Sequence, residues 1–311
     1  MRSQAVIFEQ PGVLDCRAVD LKDPEEGDIV VESSWSGIST GTERLLWTGD
    51  MPVFPGLGYP LVPGYETVGT VVEAGPASGH TVGDTVFVPG CSAYKDVRGL
   101  FGGTGSHLIT DGSRSVVLPE DTGRDGVLLA LAATAYHALA AGPLPSLVAG
   151  HGVLGRLMAR LCVSLGGSAP TVWETDAVRM EGADGYSVVD PSVDERRDHD
   201  VIVDVTGDAA ILDSLIGRLR PGGEIVLAGF YSKRVGFDFP PAFMKEARLR
   251  VAAEWKPADL VAVLRMIEVG TLSLKNLITH EMAVANAQSA YATAFGDSAC
   301  LKMILNWRDV A

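Results

Sequence analysis

The run Ser146-Leu-Val-Ala-Gly150-His-Gly152-Val-Leu-Gly155 decides the fold of half the chain. Apolar residues enter it as a strand, glycines at the spacing G-x-G-x-x-G turn it, and the stretch 154–165 leaves it with helical periodicity. In such a turn Gly150 permits the sharp reversal, Gly152 leaves bare backbone for a pyrophosphate, and Gly155 lets helix and strand approach closely. The backbone around Gly152, Val153 and Leu154, at the positive helix end, is the expected phosphate cradle. The next strand, Thr171-Val-Trp173, ends in Glu174, where an acid accepts hydrogen bonds from the adenosine ribose hydroxyls. A carboxylate there repels a 2'-phosphate, so NAD is expected over NADP. Arg179 is the counterweight, since a cation at that distance serves either a ribose or a phosphate.

Working outward, Asp200-Val-Ile-Val-Asp204 and Glu224-Ile-Val-Leu-Ala228 are near-continuous apolar strands separated by helical patterns. They predict a parallel sheet covered on both faces, hence an α/β, doubly wound second lobe. Upstream, from Ala5 to about residue 121, short β-branched runs such as Asp28-Ile-Val-Val-Glu32, Thr67-Val-Gly-Thr-Val-Val-Glu73 and Asp84-Thr-Val-Phe-Val88 alternate with Gly, Pro and Asp. They predict an all-β, barrel-like first lobe. An Ala- and Leu-rich helix after Gly126 joins the two. Beyond residue 254 come a helix over 259–269, a strand over 277–280 and an apolar run over 301–305, too little for a core of their own. The expected division is 1–126, 127–253, and a tail 254–311 returning to the first lobe.

Of 311 residues, 47% are hydrophobic and 21% charged, which suits two packed cores and no disordered region. A net charge of −14 with scattered Lys and Arg argues against a nucleic-acid partner. Cys16, Cys91, Cys162 and Cys300 lie too far apart in sequence for a Cys-x-x-Cys metal motif. With no apolar signal core and no long apolar span, the sequence predicts a cytoplasmic protein without membrane insertion.

These segments resemble the zinc-type, medium-chain alcohol dehydrogenase superfamily along nearly the whole chain. Ser36-Gly-Ile-Ser39 is similar to its Gly-Val-Cys, Gly64-Tyr65-Glu66 to its Gly-His-Glu, and 200–207 and 219–229 to its cofactor-domain strands. The resemblance implies a GroES-like β-barrel lobe, a Rossmann domain and a homodimer. Ser39 and Tyr65 stand where that family places zinc ligands, and Ala130 falls near the third ligand position. A metal-free site is therefore expected, with a site rebuilt from Glu66, Glu43 and His137 as the alternative. Within the superfamily, Ser36-Gly-Ile-Ser-Thr-Gly-Thr-Glu-Arg44 and the stretch to Glu66 resemble the 3-hydroxyethyl bacteriochlorophyllide a dehydrogenases of phototrophic bacteria. That implies a chlorin-type tetrapyrrole substrate whose hydroxyethyl group becomes acetyl. A zinc-less quinone or enone reductase and a noncatalytic nucleotide-binding protein remain the rivals.

Without zinc, alcohol oxidation needs a positioned base or relay. Tyr65 is the expected proton acceptor, with a depressed phenol pKa, and Glu66 its orienting neighbour. Ser39, Thr40 and Thr42 are relay candidates. By resemblance, Thr134 and His137 face the nicotinamide, Lys302 holds the pyrophosphate, and Thr206 and Gly229 line the cofactor cleft. The loop residues Met51, Val53, Phe54, Leu57, Tyr59 and Leu61 are expected to offer the macrocycle an apolar wall.

Overall fold

The computed structural model describes residues 1–53 and 55–309. The chain divides into two compact units, Met1–Ala130 with Lys275–Ala311, and Leu131–Leu274.

The first unit holds strands β1 (Arg2–Gln10), β2 (Val13–Asp20), β3 (Asp28–Ile38), β4 (Leu61–Val62), β5 (Thr67–Ala74), β6 (Thr85–Val88), β7 (Arg98–Gly99), β8 (His107–Asp111) and β9 (Val116–Val117), with helix α1 at Thr42–Thr48. One sheet runs β2-β1-β4-β7. In the larger sheet, β8 and β5 both pair with the long β3, and β6 and β9 extend the β5 side. Alternating β-branched residues supply a core in which Ile29, Val31, Val71, Val86 and Leu108 are wholly buried, as the sequence predicts for this lobe.

The second unit carries β10 (Leu147–Ala149), β11 (Thr171–Trp173), β12 (Ser187–Val189), β13 (His199–Asp204), β14 (Leu219–Leu227) and β15 (Arg248–Val251). All five pairings are parallel, in the order β12-β11-β10-β13-β14-β15. Counted from β10 this is 3-2-1-4-5-6, the Rossmann order. Helices α2 (Leu129–Ala140), α3 (Val153–Ser164), α4 (Leu212–Arg218), α5 (Phe239–Lys245) and α6 (Pro257–Glu268) complete this part of the chain.

The α6 segment departs from the expected division, because 254–274 groups with the second unit and only the chain from Lys275 onward returns to the first. Leu260, Val263 and Leu264 bury one face of α6, the His137 ring bonds Asp259, and Arg160 and Ser164 bond the carbonyls of Ser273 and Thr271. The returning tail holds β16 (His280–Ala283), α7 (Ala287–Gly296) and β17 (Met303–Asn306). β17 pairs antiparallel with β3, and β16 lies parallel on β17. The predicted strand over 277–280 thus sits later, since Leu277 is a buried loop residue and pairing begins at His280.

Candidate active site and dinucleotide turn

In the second unit the turn follows its glycine pattern closely. Gly150 has φ +105°, a left-handed conformation that strains other residues. A Cβ on Gly155 would lie 1.8 Å from the Gly150 carbonyl oxygen, whereas one on Gly152 would meet nothing within 4 Å. The middle glycine therefore faces open space at the start of α3, where a pyrophosphate needs bare backbone. Gly155→Ala is expected to lower stability by about 1–3 kcal/mol and weaken binding of a nicotinamide dinucleotide, read by thermal melts and fluorescence titration.

Glu174 ends β11 as predicted. Its Oε1 accepts the N–H groups of Thr175 and Asp176, at 2.8 and 3.0 Å, and Oε2 accepts that of His151 at 3.2 Å. His151, wholly buried inside the turn, has Nδ1 2.6 Å from the Arg179 carbonyl and Nε2 2.8 Å from the Tyr186 hydroxyl. A carbonyl only accepts, so Nδ1 carries the proton and Tyr186 donates to Nε2. Burial pushes the His151 pKa down to about 4, with the Arg156 cation adding to the effect, so the ring is neutral at neutral pH. Arg156 donates to the carbonyls of His151, Arg179, Glu181 and Gly182. These bonds brace residues 175–186, which form no helix, against the turn. None of this bracing was legible in sequence. The carbonyls it uses carry no side-chain signature.

At the end of β13, Asp204 accepts from the Thr206 N–H and hydroxyl and from Tyr231, and burial raises its pKa. Gly229 lies against Gly207, whose nitrogen would be 2.9 Å from an added Cβ. Thr134 is half-buried on α2. The expected nicotinamide-facing role of His137 meets a different arrangement. Its Nδ1 sits 2.8 Å from the carboxylate of Asp259, which also caps α6, so the ring has a structural partner.

The first unit gathers the remaining candidates. Gly64 takes φ +96°, and a Cβ there would meet the Thr104 hydroxyl at 2.2 Å, so the sharp turn presenting Tyr65 depends on glycine. The half-buried Tyr65 donates to Ser39 Oγ at 2.9 Å, and its ring packs edge-on against Phe101. Thr42 also bonds the phenol, while Thr40 is half-buried beside it in sequence. Burial, reinforced by the Glu66 carboxylate, holds the Tyr65 phenol well above its ordinary pKa. The expected depressed phenol is thus corrected: desolvation disfavours a phenolate, and the neighbouring anion adds to it.

Glu66 is wholly buried, and Lys302, also buried, meets its Oε2 in an ion pair. Gly37 makes room for that carboxylate, since a Cβ there would lie 2.1 Å from Oε2. Lys302 therefore departs from its expected pyrophosphate role, because its ammonium is buried against Glu66. Glu43, wholly buried on α1, accepts the Ser39 N–H through Oε1 at 3.0 Å and the Tyr291 hydroxyl through Oε2 at 2.9 Å. Burial pushes its pKa up to about 8. Sequence reasoning missed Tyr291. Its one available signal is the buried helical stripe Ala287, Ala290, Tyr291 and Ala294 on α7.

Each residue of the alternative site from Glu66, Glu43 and His137 is engaged within its own unit, Glu66 by Lys302, Glu43 by Ser39 and Tyr291, and His137 by Asp259. Among the described residues no three His, Cys, Asp or Glu side chains gather where they could hold an ion. The expected apolar wall is also largely consumed by packing. Met51 and Leu61 are buried in the core, Leu57 and Tyr59 pack against it, and Val53 is fully exposed. Phe54 lies outside the described residues.

Residues 25–120 match the alcohol dehydrogenase GroES-like domain. The chain is 56% identical to the 2-desacetyl-2-hydroxyethyl bacteriochlorophyllide A dehydrogenase of Cereibacter sphaeroides, covering 100% of both chains, and 54% identical to that of Rhodobacter capsulatus, covering 99% of each. The chain belongs to the bacteriochlorophyllide dehydrogenase branch of the medium-chain dehydrogenases. Its fold is also that of an alcohol dehydrogenase from Escherichia coli CFT073 solved with NADH, at a TM-score of 0.82, 19% identity, and 98% and 99% coverage.

For this dehydrogenase the zinc question turns on donor chemistry. Catalytic zinc takes thiolate, neutral imidazole or carboxylate ligands. At the family's ligand positions stand the Ser39 hydroxyl, a phenol held in its protonated form, and the buried methyl of Ala130. The one carboxylate adjoining them in sequence, Glu66, is paired with Lys302. These residues do not fit a zinc ion.

Proposed function

We propose that this dehydrogenase oxidises the hydroxyethyl carbinol of a 2-desacetyl-2-hydroxyethyl bacteriochlorophyllide to an acetyl group, using NAD and no zinc. The single observation that carries the substrate is the high identity to curated dehydrogenases of that name along the whole of both chains. NAD, when bound, accepts the hydride. The chain's own residues divide the remaining work. The turn at 150–155 holds the diphosphate on backbone N–H groups, and Glu174 receives the adenosine ribose.

On the first unit, Tyr65 stays a neutral phenol. Its oxygen takes the proton of the substrate hydroxyl as its own proton passes to Ser39 Oγ, so no phenolate accumulates. A relay suits a phenol whose environment penalises charge. In the same step the Ser39 hydroxyl gives up its own proton by way of Thr40 and Thr42, both half-buried, to solvent water, so no oxonium forms on Ser39.

The Glu174 carboxylate supports NAD over NADP. Glu174→Ser is expected to raise KM for NAD about tenfold, about 1.4 kcal/mol, and to narrow the preference measured as the ratio of kcat/KM values for NAD and NADP. A preference unmoved by the change would contradict this role. A homodimer is supported by the exposed apolar residues of α5 and the sheet edge β15, where Phe239, Phe243, Met244 and Val251 are 67%, 64%, 75% and 77% exposed. Sedimentation at micromolar concentration should give twice the chain mass, and a single-chain mass would refute it.

The function itself is tested by incubating the purified protein with NAD and the hydroxyethyl pigment, with and without a chelator. NADH and the acetyl product should appear in equal amounts at an unchanged rate with chelator. Chelator-sensitive turnover, or turnover of quinones or enones in place of the pigment, would overturn the proposal. Among the described residues, no helix is long and apolar enough to cross a membrane.

A further inference from the structure

We infer that Glu43, clamped by Tyr291, is a positioning residue of the proton relay, fixing Ser39 so that its hydroxyl receives the Tyr65 proton. The inference rests on the relay proposed above. Three hydrogen bonds of 2.9, 3.0 and 2.9 Å form one chain, from Tyr291 to Glu43 Oε2, from the Ser39 N–H to Glu43 Oε1, and from Tyr65 to Ser39 Oγ. Through a single carboxyl, helix α7 thereby sets the backbone that carries the relay hydroxyl.

A purely structural role explains this carboxyl poorly. An acid in the first turn of a helix ordinarily faces solvent, where it offsets the helix dipole, but Glu43 is wholly buried. The charged and titratable groups facing it are Glu66 from the segment before β5, Lys302 from the segment before β17, Tyr291 from α7 and the nearby Tyr65. Lys302, the one cation among them, is ion-paired to Glu66. Glu43 is thus buried without a counter-ion of its own among the described residues.

Glu43 presents two acceptor oxygens, Oε1 to the Ser39 N–H and Oε2 to the Tyr291 hydroxyl. Thr104, buried beside them, bonds the Tyr291 oxygen and holds that ring in place. Glutamine keeps the Ser39 bond through its amide oxygen and can donate its amide N–H to the Tyr291 oxygen.

The experiment is a set of steady-state measurements on the full chain with NAD and the hydroxyethyl pigment, comparing Glu43→Gln, Glu43→Ala, Tyr291→Phe, Tyr65→Phe and the Tyr65→Phe/Glu43→Ala double variant. Glu43→Gln should keep kcat within about threefold, and Glu43→Ala should lower it about thirtyfold with KM for NAD unchanged. Tyr291→Phe should lower kcat by about fivefold. In the Tyr65→Phe background, Glu43→Ala should cost little more, because the residue acts through the phenol. A thirtyfold loss repeated in that background, or Glu43→Gln as slow as Glu43→Ala, would overturn the inference. If Glu43→Ala does not fold, Glu43→Gln and Tyr291→Phe decide: a tyrosine variant at the wild-type rate overturns it. A wild-type rate for Tyr65→Phe would instead sink the relay itself, a failure separable from this one.

Discussion

Lys302→Met should destabilise the protein by about 3–5 kcal/mol, because it strands the Glu66 carboxylate in a dry interior. Both partners are buried, and Glu66 Oε1 has no hydrogen-bond partner among the described residues, so little else compensates that charge. The loss should depend on pH in a definite direction. Burial already raises the Glu66 pKa, and Lys302 works against that rise. Removing the lysine raises it further. A folded-state carboxyl pKa above the unfolded value means that the folded state binds more protons, so stability falls as pH climbs above the unfolded value near 4.3. Lys302→Met should therefore be hurt most at pH 8 and much less near pH 5, as denaturant melts at the two pH values would show. Adding Glu66→Gln should recover a large part of the loss, since both charges are then gone. A full loss persisting in the double variant would point to packing of the lysine stem instead.

Tyr65→Phe should reduce kcat by about 10²- to 10³-fold while leaving KM for NAD within about twofold. The phenylalanine keeps the edge-on contact with Phe101 and deletes only the hydroxyl that reaches Ser39. Because the phenol is held well above its ordinary range, the wild-type rate should show no ionisation of Tyr65 near neutral pH. Stopped-flow reduction of NAD over a pH series checks both points. A variant that retains the wild-type rate would move the proton step to another group.

The doubly wound unit was legible because its determinants are local. A three-residue strand, the glycines of one turn and the helix after it sit within 20 residues, and Glu174 follows at the next strand end. The first unit was legible as a β lobe for the same reason, from β-branched runs and their turns. The boundary near 254 was misplaced because α6 is bound to the second unit by side chains such as Asp259, whose partner His137 lies 122 residues away.

The same distance hid the inner wiring of the site. Tyr291 and Glu43 are 248 residues apart, and only the tail returning beside β3 brings them together. Lys302 was placed on the cofactor because its position near the chain end resembles a family cation, whereas burial beside Glu66 decides its environment. For Tyr65 the position was found and the electrostatics were not. Sequence shows a phenol next to an acid, but the sign of the resulting shift depends on how much water the fold removes.

The most direct test uses hydroxyethyl bacteriochlorophyllide carrying deuterium at the carbinol carbon, with mass spectrometry of the reduced cofactor after a single turnover. Hydride transfer from that carbon predicts NADH heavier by one deuterium, formed together with the acetyl pigment. Unlabelled NADH, or label retained in the pigment while the cofactor is reduced, would contradict the account.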